Sequence, residues 1–295
     1  MNTIIPSPSK FWRWVLGAVV LAAMVSSIVY LARPSSIPTD KPGEFRVVAA
    51  ENVWGNIASQ LGGSHVQITS ILNDPNADPH LYESNARDAS SVSMADVVIV
   101  NGLGYDDFMP KLLKASNKPT RHIITAAQIL NASTGANQHL WYDISGVRKV
   151  AAGITYTYIA IDPSHKNDYV HNLATFNQSL QGIENTIAII RQKYARSPVA
   201  YTEPVPGYLL TAAGLSVKTP SSFAKSIEDG DDPNPSDTTT MNKLITSRSI
   251  KVLLYNAQAT SPVTESIKQL AGQYGIPVIG VTETLPKTAT NYQAW

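Results

Sequence analysis

Short apolar runs alternate with amphipathic stretches along most of this chain, and each change of period marks a predicted element. FRVVAA (45–50) is apolar and β-branched, which predicts a strand. A helical pattern starts near Val53 and closes at Gly62 and Gly63. HVQITSIL (65–72) alternates as a second strand, RDASSVSMA reads as a helix, and DVVIVNG (96–102) as a buried parallel strand ended by Asn-Gly. YDDFMPKLLKAS is helical with Pro110 near its start, and RHIITA (121–126) is another strand. In residues 167–195, Tyr169, Leu173, Phe176, Leu180, Ile183, Ile187 and Ile190 recur at steps of three and four. That predicts one long helix of about 43 Å at 1.5 Å per residue.

The alternation then resumes. PVAYT (198–202) predicts a strand, PGYLLTAAG a helix ended by Gly214, and VKTPSSFAKSIEDGDDPNPSD a long loop. Ser236 or Asp237 is expected to cap the next helix; KVLLYN (251–256) and IPVIGVT (276–282) are strands flanking a helix over Ser261–Gly275, with Pro262 in its first turn. The expected fold is α/β: two lobes, each a mainly parallel sheet flanked by helices, joined by one long helix. The corresponding division is a membrane segment with its flank (1–34), a linker (35–44), an N-terminal lobe (45–166), the connecting helix (167–195) and a C-terminal lobe (196–295).

The membrane segment rests on Trp14 to Ala32, 19 residues without a charge, preceded by Lys10 and Arg13. About 20 apolar residues match the hydrocarbon thickness of a bilayer. A cleaved secretory signal wants small residues at its end, and VYLARPS places Tyr30 there, so an uncleaved anchor or signal-anchor is the preferred reading over a cleaved, secreted form. The basic flank puts the short N-terminus in the cytoplasm and the body outside. RPSSIPTDKPGE (33–44) reads as a polar tether.

Charge narrows the function. Three of the 23 basic residues and none of the 22 acidic ones fall in residues 1–34, so the rest carries a net −2, which argues against nucleic acid as a partner. Cysteine is absent, excluding disulfides, thiolate metal sites and lipid attachment through a cysteine. Ligands of open α/β sheets sit beyond the carboxyl ends of strands. Glu203 follows VAYT, Glu283 follows VIGVT, His80 lies in the loop after the second strand, and His139 lies in NQHLWYD. Two imidazoles and two carboxylates at such positions can surround one divalent cation and balance its charge. Spacing alone is weak support, because the four are far apart in sequence.

Several separated segments carry a resemblance: VVAAENVWGNIASQLGG, DPNADPHLYESNARDASSVSMADVVIVNGLGYDDFM, HLWYD, TEPVPGYLLTAAGL, YNAQATSPVTESIKQLA and GIPVIGVTETLP. From about residue 45 onward the chain resembles the substrate-binding proteins of zinc and manganese ABC transporters (cluster A-I). The resemblance implies His80, His139, Glu203 and Glu283 as metal ligands; beside them, Glu83 reads either as a partner orienting His80 or as a surface charge, and Trp141 as packing around the site or between the lobes. It implies a monomeric receptor outside the membrane, delivering zinc or manganese (iron fits less well) to an ABC permease and its ATPase. Members of the family usually run on into a further helix past the segment matching YQAW, and many zinc binders carry a His-rich loop where this chain has only His122. The rival reading is a cell-surface zinc metallohydrolase, but catalytic zinc keeps an open position and no HExxH motif is present. His65 opens a strand and reads as structural. His165 and His171, about 240° apart on a helical wheel, are not expected to share an ion.

Overall fold

Every strand pairing among the described residues is parallel, as strand–helix alternation requires. The structure, a computed structural model, describes residues 44–74 and 79–295, without the side chain of His80. The segment read as a membrane anchor (14–32) lies outside the described residues. Among those described, no helix is long and apolar enough to cross a membrane.

The first sheet has the order β2-β1-β3-β4, from β1 (Phe45–Glu51), β2 (Val66–Leu72), β3 (Val97–Val100) and β4 (His122–Thr125). The VVIV of β3 is buried throughout because helices cover both faces of the sheet. Its register aligns Val47 with Val97 on one side and Val97 with His122 on the other. The helices are α1 (Asn52–Gly62), α2 (Ala86–Met94), α3 (Phe108–Ala115), the single turn α4 (Ala126–Ile129) and α5 (Ile144–Ile161). Asn85 starts α2 through a capping box with Asp88. In α5, Val147, Val150, Ala151, Ile154 and Tyr158 form one buried face, and the Tyr158 hydroxyl donates to the Ala58 carbonyl at 3.3 Å.

The second sheet repeats the arrangement as β6-β5-β7-β8, from β5 (Pro198–Tyr201), β6 (Ser216–Val217), β7 (Leu253–Asn256) and β8 (Val278–Val281). Its helices are α8 (Gly207–Ala212), α9 (Ser221–Glu228), α10 (Pro235–Thr246) and α11 (Pro262–Gln273). After β8 the chain returns to the first sheet's side, where Leu285 and Tyr292 join the same core as Trp54, Trp141 and Val147.

Three expectations are corrected. The single helix expected over 167–195 is two, α6 (Lys166–Ser179) and α7 (Gln181–Tyr194), meeting at Leu180. Leu180 is fully buried and Gly182 follows it, so a packing anchor beside a weak helix former divides the run. The loop expected over 217–237 contains the end of β6 and all of α9, whose Phe223, Ala224 and Ile227 are buried. The cap of α10 is Asn234, whose side chain accepts from the Asp237 amide, rather than Ser236 or Asp237; Pro235 occupies the first helical position.

Candidate metal centre

Strand ends deliver the polar groups of the crevice. β1 ends at Glu51, β3 runs into Asn101, β5 into Thr202 and Glu203, β7 ends at Asn256, and β8 leads to Glu283. All six are buried. His139 arrives from the other direction, immediately before the 3₁₀ turn Leu140–Tyr142 that leads into α5.

His139 and Glu283 meet directly, with Nε2 3.2 Å from Oε2, although 144 residues separate them. Neither side chain is exposed. The Tyr105 hydroxyl donates to the same Glu283 oxygen at 2.8 Å. Asn256 links the two carboxylates: its amide nitrogen donates to Glu203 Oε2 at 2.9 Å and also to Glu283 Oε1. The Asn256 side-chain oxygen in turn accepts the Gln258 amide at 3.0 Å, which fixes which way the amide points.

The imidazole of His139 is oriented from behind. Asn137 Nδ2 donates to the Pro204 carbonyl at 2.7 Å, so Asn137 Oδ1 faces the ring and accepts from His139 Nδ1 at 2.8 Å. This assigns the proton to Nδ1 and turns Nε2, the nitrogen facing Glu283, into the available donor atom. Glu228 lies 3.8 Å from Nδ1 and also accepts from Gln138. Trp141 packs edge-on to His139 at 5.6 Å and to Tyr105 at 4.8 Å, closing the apolar side.

Of the residues singled out from the sequence, His139, Glu203 and Glu283 come together. His80 sits in the 3₁₀ turn Pro79–Leu81, and its side chain lies outside the described residues. Glu83 is exposed, and the carboxylate that organises its segment is Asp88, which accepts from the Tyr82 hydroxyl at 2.7 Å and the Asn85 amide at 2.8 Å. Asn256, Tyr105 and Asn137 were missed. Asn256 ends a predicted strand, so the rule that picked out Glu203 and Glu283 could have found it.

Beneath the crevice, neither carboxyl oxygen of Glu51 has a hydrogen-bond partner. Burial first, and the neighbouring Asp106 charge second, push its pKa well up. Burial also raises Asp106, partly offset by the backbone amides of Gly102 and Asn101 that donate to it at 3.0 and 2.6 Å.

Residues 47–295 match the family described as ZnuA, the periplasmic component A of a zinc-uptake complex. The chain belongs to this family. The manganese-binding lipoprotein MntA of Halalkalibacterium halodurans is 28% identical over 155 residues, 50% of this chain and 51% of MntA. The chain thus spans about half the length of that relative. Among solved structures, the periplasmic zinc-binding protein TroA of Treponema pallidum superposes with a TM-score of 0.72 at 16% identity, over 85% of this chain and 95% of TroA. The substrate-binding protein FpvC of Pseudomonas aeruginosa, in complex with Mn²⁺, gives 0.69 at 23% identity, over 85% of this chain and 93% of FpvC. At such identities the likeness establishes the shared two-sheet fold of the ZnuA family.

Proposed function

We propose that this chain is an extracytoplasmic receptor that captures a divalent transition-metal ion, zinc or manganese, between its two sheets and delivers it to an ABC permease powered by an ATPase. The ligands in this reading are His80, His139, Glu203 and Glu283, and residues 14–32 tether the receptor to the membrane. The carrying observation is the buried junction of His139 with Glu283, bonded through Asn256 to Glu203, at the carboxyl ends of strands from the second sheet. Two carboxylates balance the ion's charge, and neutral imidazole supplies nitrogen. As the ion enters, it takes over the interaction between His139 Nε2 and Glu283, and Asn256 continues to hold the outer carboxylate oxygens. Tyr105 and Trp141 keep bulk water from the ring side. No chemical step is required, and membership of the ZnuA family lends no support to the hydrolase reading.

Two carboxylates are harder donors than a set of three imidazoles, which favours manganese, while intrinsic affinity at one site rises from manganese toward zinc. MntA and TroA carry manganese and zinc in their names, so relatives point to both. The test is competitive Zn²⁺ and Mn²⁺ titration of the wild type and Glu203→His. The substitution should shift preference toward zinc by at least about tenfold; unchanged preference would remove Glu203 from the site. Turnover of ester, phosphate or peptide substrates by protein loaded with one equivalent of zinc would overturn the receptor reading itself.

A further inference from the structure

Among the described residues, one trio of ligating side chains has donor atoms that all lie within 4.8 Å of one another, and it is outside the crevice: His65, Asp162 and His165. Three elements converge there. His65 closes the 3₁₀ turn after α1, Asp162 follows α5, and His165 leads into α6. The two imidazole rings stack at 3.9 Å, tilted by 20°.

Each ring has its own carboxylate. His65 Nε2 is 2.9 Å from Asp168 Oδ2, and His165 Nδ1 is 2.6 Å from Asp162 Oδ2. A carboxylate on one ring nitrogen is the usual way a metal-binding histidine is oriented, because it fixes the tautomer and makes the other nitrogen more basic. Asp162 is held in place by the Tyr169 hydroxyl at 2.7 Å and by Ser164. The side chains are 16–40% exposed for His65, Asp162 and His165, enough for an ion to enter and for the rings to swing out of their stack toward it.

We propose that His65, His165 and Asp162, oriented with the help of Asp168, form a second site for a divalent transition metal on the outer surface of the first sheet's half. Two imidazoles and one carboxylate are a donor set suited to zinc and its neighbours in the first transition row. Bound there, the ion pins the turn between α1 and β2 to the start of α6. Exposure and the need to open the bond between His165 and Asp162 make it the weaker of the two sites, filled after the crevice. The assignment rests on these residues alone and does not depend on the crevice ligands being correct.

Equilibrium dialysis and calorimetry with Zn²⁺, together with Co²⁺ visible absorption, test it on the described chain. Wild type should bind two equivalents, and His65→Gln/His165→Gln should bind one. Asp168→Asn, which keeps both rings, should weaken the second event by about 10–100-fold. Circular dichroism confirms that each variant is folded. His139→Ala should lose the tighter equivalent and keep the weaker one, which separates failure of the crevice reading from failure of this one. A single equivalent in the wild type, or a second equivalent that survives in the double variant, overturns the proposal.

Discussion

Glu51 shows how one buried group sets a pH dependence. Its pKa is raised by burial and then by Asp106, so the native state holds a proton that the unfolded chain releases near the ordinary Glu value of about 4.3. Stability from this group is therefore full below about pH 4.3 and declines as pH rises toward its elevated native pKa. Glu51→Gln keeps the shape and removes the titration. Metal-free wild type and variant should have similar urea midpoints at pH 4, with the variant increasingly more stable toward pH 8. If the wild type instead gained on the variant as pH rose, the carboxyl would be stabilised as an anion. Asn256 makes the complementary point: its amide bonds to both Glu203 and Glu283 and so lowers the cost of holding two carboxylates out of water.

At the scale of elements, close approach outranks local propensity. Gly62 ends α1 in ordinary helical conformation, with φ −83° and ψ −27°, where alanine would normally be favoured by about 1 kcal/mol. An added Cβ, however, would lie 2.2 and 2.6 Å from the two methyl carbons of Val66 and 3.0 Å from its Cβ. A β-branched side chain cannot turn both methyls away. Gly62→Ala is expected to destabilise by about 1–3 kcal/mol in chemical denaturation, and Val66→Ala in the same chain to recover part of that loss. A stabilised single variant would contradict this packing of α1 on β2. Much of this level was legible in the sequence, because strands such as VVIV and helices such as Ser261–Gly275 announce their period locally. The helix α9 was not: Pro220, Gly230, Pro233 and Pro235 crowd its borders, and its buried face of Phe223, Ala224 and Ile227 is too short to establish a period.

For the whole molecule, the crevice is held closed by bonds that cross between the halves. Tyr105 reaches Glu283, and Tyr142 donates to the Thr282 carbonyl at 2.7 Å. An ion bound as proposed would add to these by mass action. Free Zn²⁺ at 100 times the dissociation constant should stabilise the native state by about 2.7 kcal/mol. For a body of this size that is a rise in melting temperature of about 5–10 °C. Scanning calorimetry with and without the ion checks it, and Tyr105→Phe, which removes one of these buried bonds, should lower the melting temperature of the metal-free protein and speed metal release. No thermal response at saturating metal would mean that binding does not involve the folded crevice.

The order of residues by itself determined the alternation of strand and helix, the parallel character of the sheets and the positions that follow strand ends, because each depends on burial patterns within about a dozen neighbouring residues. Those positions included Glu203 and Glu283, whereas His139 stands before a 3₁₀ turn rather than after a strand. Tertiary structure alone decided which of them touch, since the meeting of His139 with Glu283 joins groups 144 residues apart, and the placing of Asn256 between two carboxylates follows from the order β5-β7-β8 in the second sheet. It also decided the stacking of His65 on His165, 100 residues apart, which no local period encodes.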